Sequence, residues 1–272
     1  MPELPEVETI KRELSPFLKG EKIRDVIIKR EEIIGFPSVR VFKRELIGKA
    51  IKDLERRGKY LIFLLSDGSR LLFHLKLSGR LILHQGKREL RHERLKLVLN
   101  KRNLSFVEPR MFGRVFFVRN RFPNVLKGFL ELGPEPLAKD FNESFLAKRL
   151  KRRKGKIKSI LLDQRVGCGL GNIYTDESLF LAGIHPERSG VSLMPFEIRK
   201  LVRSIKKVLK EAIRDKGTTL SDYFRPNGRG GNYQLRLRVK DREGKPCRRC
   251  GTPIERIKIG NRSTHFCPQC QK

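Results

Sequence analysis

A chain of 272 residues with 38% hydrophobic and 34% charged side chains has room for two ordinary domains, each with a usable core. Its 62 Lys and Arg against 30 Asp and Glu leave a formal charge of +32, far more than solubility requires, which points to a polyanionic partner. Nucleic acid is the leading candidate. An acidic membrane surface is the alternative, but no basic amphipathic stretch with a large aromatic face supports it. No apolar run reaches the ~18 residues of a membrane span, and the first residues are acidic where a secretory signal is basic and then apolar. With five cysteines, four of them in the last 26 residues, the composition suits a soluble protein of a reducing, intracellular compartment.

The chain opens MPELPEVETI, with no positive side chain before Lys11. Val7, Ile10 and Leu14 recur at helical spacing and Pro5 suits a first turn, so the segment reads as a helix. Its acids are either a cap or reactive groups beside the terminus. From Ile23 the pattern changes to short β-rich runs, IRDVIIK, KYLIFLL, RLLFHLKL, RLILH, LKLVLN and LSFVE, with turn signals such as SDGS and LNKRN. One helix interrupts them at SVRVFKRELIG, with Val39, Phe42 and Leu46 on one side and Gly48 as its stop. GPEPL at 133–137 breaks the chain, and 140–215 then reads as helices: FNESFLAKRLKR, KIKSILLDQ, NIYTDESLFLAG and PFEIRKLVRSIKKVLKEAIRDK. A Gly-rich stretch, RPNGRGGN at 225–232, precedes the cysteine-bearing tail, and no internal repeat is present. The expected fold class is α+β and multidomain. An N-terminal antiparallel β-sandwich or barrel flanked by helices, the sandwich being the expected form, fills 1–130, a helical domain 131–236 and a four-cysteine hairpin 237–272.

The tail carries the sharpest chemistry. Cys247 and Cys250 form one C-x-x-C, Cys267 and Cys270 a second, with 16 residues between. Two such elbows close a tetrahedral thiolate site, and zinc suits four soft ligands; two disulfides or four free thiols are the alternative. With every position filled by protein, the metal is structural, bracing a hairpin that presents Arg256, Lys258 and Arg262 to a phosphate backbone. Cys168, in VGCGLGN, is either a catalytic thiol or a small buried residue between glycines. KRLKRRKGKIK at 148–158 has eight basic residues in eleven, either a solvated helix face or a phosphate-facing surface. GLGNIY at 169–174 puts glycines ahead of a helix whose N–H groups can meet a phosphate, or is a plain turn. EPRMFGRVFF at 108–117 sets Arg110 and Phe112 on a Pro/Gly-marked loop, where Phe112 is either core or a wedge that fills the gap left by an extruded base.

MPELPEVET, RRGKYL, EPRMFG, GLGNIYTDE and the four-cysteine tail, in this order, together resemble the bacterial formamidopyrimidine-DNA glycosylases, which repair oxidised purines such as 8-oxoguanine. The resemblance covers essentially the whole chain. It implies a helix-two-turn-helix and a lesion-capping loop within 131–236, and a zinc finger after it. It also implies that Met1 is removed and the exposed Pro2 amine attacks C1′ of the damaged nucleotide. Glu3 resembles the acid/base residue, Glu6 a supporting carboxylate, Lys59 the lysine that assists proton transfer in strand cleavage, and Arg262 the arginine of the second elimination. His92, Arg153, Lys158 and Asn172 match DNA-contacting positions. Arg110 and Phe112 match two of an intercalating trio, with Leu77 where Met is common. Met111 replaces a frequent second Arg, Arg94 stands where a second His often follows His92, and 217–234 is only loosely similar to the capping loop.

The chemistry suits those roles. An α-amine titrates at roughly 7.7–8.0 in model compounds, so much of it is neutral at working pH. A secondary amine attacking C1′ yields an iminium, an electron sink that acidifies the C2′ proton. Three readings follow: a glycosylase and lyase for oxidised purines, the sister activity on oxidised pyrimidines, and a non-catalytic nucleic-acid binder. PELPE favours the first, and Pro2, Glu3 and Lys59 together disfavour the third. The expected partner is double-stranded DNA containing oxidised bases, met by a monomer in the bacterial cytoplasm, associated with the nucleoid.

Overall fold

The computed structural model describes residues 1–86, 89–119, 122–220 and 223–272. They form two compact units, Met1–Leu130 with Asp215–Asn232, and Glu131–Arg214 with Tyr233–Lys272. No helix among the described residues is long and apolar enough to cross a membrane.

The first unit begins with α1 (Leu4–Leu18), followed by β1 (Ile23–Ile28), β2 (Ile34–Phe36) and α2 (Val39–Leu46). Seven strands follow: β3 (Ile51–Arg57), β4 (Tyr60–Leu65), β5 (Arg70–His74), β6 (Arg80–His84), β7 (Glu93–Leu99), β8 (Asn103–Val107) and β9 (Arg114–Val118). A short α3 (Lys127–Leu130) closes the run. They build a four-stranded sheet in the order β1-β7-β8-β6 and a five-stranded sheet in the order β2-β9-β5-β4-β3. The burial of each strand matches its place. ERLKLVL of β7 alternates strictly because only one of its faces is covered, whereas YLIFLL of β4 is apolar on both sides. One face of β4 and β5 joins the shared core with Val7, Ile10, Leu14 and Phe106; the other packs on Leu126 and Phe129. Phe73 meets Phe106 edge-on at 5.7 Å within that shared core. One pairing departs from the antiparallel expectation: β2 runs parallel to β9. Gly35 permits it, since a Cβ there would lie 2.2 Å from the Phe116 ring.

The second unit holds α4 (Glu143–Leu150), α5 (Ile157–Leu162), α6 (Asn172–Ala182), α7 (Pro195–Arg214) and a hairpin of β10 (Glu255–Ile259) and β11 (Arg262–Phe266). Helix α7 buries Ile198, Leu201, Val202, Ile205, Val208 and Leu209, the apolar stripe its sequence predicts. Helix α6 lies against α5, α7 and β11, so it is the centre of this unit. Its Glu177 is fully buried and accepts the backbone N–H groups of Arg238, Val239 and Lys240 at 2.9–3.0 Å, fixing the segment that leads into the cysteines.

The expected division at 131–236 and 237–272 differs from these units in two respects. Residues 215–232 join the first unit because acids of α1 hold them. The cysteine hairpin is not a separate body, because Phe180 of α6 and Val239 share its apolar cluster with Ile254 and Cys267. Replacing Glu177 by Ala strands three buried amides, so chemical denaturation is expected to show a loss of about 3 kcal/mol; an unchanged midpoint would show that water replaces the carboxylate.

Candidate functional site

Pro2, Glu3 and Glu6 are all buried at the start of α1. Glu3 is the N-cap, and a reciprocal capping box joins the pair: the Glu3 side chain accepts from the Glu6 amide, and Glu6 Oε2 accepts the Glu3 amide at 2.8 Å. The other Glu6 oxygen, Oε1, accepts the Thr218 amide at 2.8 Å. Nearly two turns further along the helix, Glu13 pairs with Arg225, whose Nε lies 2.6 Å from Oε1. The Gly-rich segment is thus tethered to the helix that starts at Pro2. Gly217, at φ +86°, needs its missing side chain, since a Cβ would lie 2.8 Å from Glu6 Oε1. The expected capping loop, 217–234, includes two positions outside the described residues.

Lys59 sits in the two-residue turn between β3 and β4, where Arg57 pairs with Tyr60 and Gly58 has φ +56°. It is 8% exposed. Arg56 ties this hairpin to α1, with Nε 3.1 Å from Glu8 Oε2. His74, the cross-strand partner of Tyr60, feels Lys59. Burial first, then repulsion by Lys76 and Lys59, pushes its pKa down to about 3, and its Nδ1 accepts the Lys76 amide at 3.1 Å.

Leu77 is half-buried, while Arg110 and Phe112 are exposed, Phe112 by 49%. The Arg110 guanidinium lies 5.6 Å from the centre of the Phe112 ring. An exposed aromatic held under a cation on a loop is not part of the core. His92 adopts φ +64°; its carbonyl accepts the Glu108 amide at 3.0 Å and its Nδ1 lies 3.4 Å from Arg94 Nη2. Arg94 also donates from Nε to the Glu108 carbonyl at 2.9 Å, so it braces this corner of the sheet.

In the second unit the basic run 148–158 is not one helical face. It leaves α4 at Leu150, turns, and re-enters a helix at Ile157. Lys158 corrects the expectation of a DNA contact. Its side chain is 0% exposed and ion-paired with Asp176 at 2.6 Å, and its Nζ donates to Ser263 O at 3.1 Å and Thr264 Oγ1 at 2.8 Å. A buried, paired ammonium cannot reach a phosphate. Asn172 donates to the same Ser263 carbonyl at 2.9 Å, while its Oδ1 has no hydrogen-bond partner among the described residues. Together they grip β11 one residue past Arg262, which is exposed at the start of that strand after the Gly260–Asn261 turn. Arg153 pairs with Asp163 at 2.8 Å. Burial would raise the Asp163 carboxyl, but Arg165 and Arg153 outweigh it and hold it far below the usual range.

The Sγ atoms of Cys247, Cys250, Cys267 and Cys270 lie within 4.8 Å of one another. The Cys247–Cys270 and Cys250–Cys267 separations, 3.9 and 3.5 Å, bracket the ~3.8 Å edge of a tetrahedron with Zn–S bonds of ~2.3 Å. Four thiolates at that spacing fit one structural zinc and leave no position open. Cys168 is fully buried, with Sγ 3.7 Å from Glu135, as a packing residue should be.

Sequence reading missed Glu108, Asp176 and Glu13. Each is an ordinary acid in its own segment, and each gains at least one partner from a separate segment of the chain; the acids of EPRMFG and GLGNIYTDE are the signals that were present. Residues 1–115 match the formamidopyrimidine-DNA glycosylase N-terminal domain, 132–223 its H2TH domain, and 244–272 the zinc finger found in FPG and IleRS. Over 274 residues the chain is 46% identical to the formamidopyrimidine-DNA glycosylase of Pelotomaculum thermopropionicum, covering 100% of this chain and 99% of that one. The Thermus thermophilus MutM (FPG) structure aligns at a TM-score of 0.91 with 42% identity, over 99% of this chain and 98% of that one. The Lactococcus lactis FPG in complex with Fapy-dG containing DNA aligns at 0.90 with 38% identity, over 99% and 100%.

Two outcomes are expected. The His74 ring shows no protonation by NMR between pH 8 and 5. Because its native pKa lies below the unfolded value near 6.5, the unfolded chain takes up a proton the native state refuses, and stability falls as pH drops from about 6.5 toward 3. A His74 titration midpoint near 6.5 would refute this. Chelation removes one zinc per chain and melts the β10–β11 hairpin, read as lost amide protection in 247–270; retained protection would mean the metal is dispensable.

Proposed function

The chain belongs to the formamidopyrimidine-DNA glycosylase family, and on that premise we propose a bifunctional DNA glycosylase and AP lyase that excises oxidised purines and nicks the strand. The observation that carries this reading is the reciprocal capping box, which fixes two buried carboxylates next to Pro2. Once Met1 is removed, the Pro2 nitrogen bonds to C1′ as the bond from C1′ to the base breaks, and the base leaves with a proton. Glu3 delivers a proton to the sugar-ring oxygen as the ring opens, leaving an iminium between Pro2 and C1′. Loss of the C2′ proton then expels the 3′ phosphate, and a second elimination expels the 5′ phosphate.

Glu6 is a support in this scheme rather than a proton carrier, because both its oxygens already accept backbone amides. Lys59, buried at the tip of its turn, assists proton transfer during strand cleavage, and Arg262 neutralises phosphate for the second elimination. His92 and Arg153 contact the backbone of double-stranded DNA. Leu77, Arg110 and Phe112 fill the gap left by the everted nucleotide. Asn172, half-buried at the start of α6, is a further DNA contact, and with the buried Lys158 it also holds the strand that bears Arg262. The enzyme works as a monomer in the bacterial cytoplasm, at the nucleoid.

The test is borohydride trapping on duplexes carrying 8-oxoguanine or thymine glycol. A covalent adduct is expected on 8-oxoguanine, with strand cleavage by both eliminations, and Pro2→Gly is expected to lose it. No adduct on either lesion overturns the enzymatic reading, faster trapping on thymine glycol moves the substrate to oxidised pyrimidines, and full activity in Pro2→Gly removes the nucleophile. Intact mass should show a chain lacking Met1.

A further inference from the structure

The three wedge side chains come from two loops. Leu77 lies between β5 and β6, and Arg110 and Phe112 lie between β8 and β9. Both loops have the same unusual construction. Each passes through a left-handed, non-glycine residue immediately before a wedge residue: Lys76 at φ +52° and Met111 at φ +60°. Each then ends on a glycine that closes onto one ring. A Cβ on Gly79 would lie 2.8 Å from Phe106, and a Cβ on Gly113 would lie 2.7 Å from it. Left-handed backbone is unfavourable for residues with a Cβ, so it persists only where the surroundings impose it.

The Lys76 amide is held by His74, and Glu108 is the group that the two loops share. It is 0% exposed, so it cannot touch a nucleic acid. Its Oε1 accepts the hydroxyl of Ser78, next to Leu77, and the amide of Arg110 at 3.0 Å. Its Oε2 accepts the Gly113 amide at 3.1 Å. One carboxylate therefore bonds to donors on both loops at once, directly beside all three wedge residues. A carboxylate suits the position because both oxygens only accept, and all three facing groups only need an acceptor here. A glutamine would turn an N–H toward one of those donors and release that side.

We propose that Glu108 is a positioning residue that latches the two loops together, so that Leu77, Arg110 and Phe112 enter the duplex as one wedge. The proposal rests on the wedge reading of those three residues. It concerns base eversion and not the Pro2 chemistry, and that separates its consequences from those of any catalytic residue.

The experiment compares Glu108→Gln, Ser78→Ala and Phe112→Ala with the parent enzyme on two substrates. One is duplex DNA carrying 8-oxoguanine beside a 2-aminopurine reporter; the other is single-stranded DNA with a preformed abasic site, where no base is extruded and no gap filled. Glu108→Gln is expected to slow duplex excision about tenfold and to reduce the 2-aminopurine fluorescence rise, while abasic cleavage stays within about twofold. Ser78→Ala, which severs only the Leu77 side, gives a smaller loss of the same kind and tests the latch even if Glu108→Gln folds poorly. Parent-like duplex excision in both variants, with Phe112→Ala slowed, overturns the latch. Equal losses on both substrates also overturn it, since they mark general damage to the fold. Parent-like excision by Phe112→Ala overturns the wedge reading itself.

Discussion

The Glu6 carboxylate is the constraint around which the first unit is organised. One oxygen holds the amide of Glu3, the N-cap of α1, and the other holds the Thr218 amide, more than two hundred residues later in the chain. Buried amides without acceptors are costly, so this carboxylate fixes both the start of the helix and the approach of the Gly-rich segment. The neighbouring acids divide the remaining work: Glu3 caps, Glu8 takes Arg56 and so the hairpin bearing Lys59, and Glu13 takes Arg225. The acidic opening of a strongly basic chain follows from this. A cation among the first residues would pair with these carboxylates and compete with the amides and arginines they hold.

Charge is handled differently inside and outside the molecule. Lys158 is neutralised by Asp176, and Arg238 lies between Glu177 and Glu211. The fully buried Lys158–Asp176 pair adds little net stability because desolvation opposes its attraction, but it holds geometry firmly, since breaking it leaves an uncompensated charge. Most of the formal charge of +32 remains for the surface, where it can act on phosphates at long range. A count of basic residues therefore overstates the binding surface, as Lys158 shows.

The zinc hairpin illustrates how a small element is made rigid. Its two strands pair over only five positions, too few to persist alone. The metal closes the cysteine end, and Lys158 and Asn172 hold the Ser263 carbonyl near the other end. Arg262 sits between a tight turn and that anchored carbonyl, so its backbone is fixed while its side chain stays exposed.

Local chemistry was legible in the chain wherever a signal is local. Acids ahead of Val7, Ile10 and Leu14 at helical spacing mark a helix start, two C-x-x-C elbows make a zinc site, and short β-rich runs such as KYLIFLL and LKLVLN mark strands. The helices of the second unit were equally plain, because α7 repeats its apolar residues at helical spacing. What the tertiary structure alone decided depends on partners distant in sequence. Nothing in KRLKRRKGKIK distinguishes the buried Lys158 from its solvated neighbours until Asp176 and Ser263 are placed around it. The parallel pairing of β2 with β9, the attachment of 215–232 to α1 and the reach of Glu108 to Ser78 are of the same kind. Periodicity and spacing record what a residue's near neighbours require, whereas desolvation and long-range pairing exist only once the chain has closed on itself.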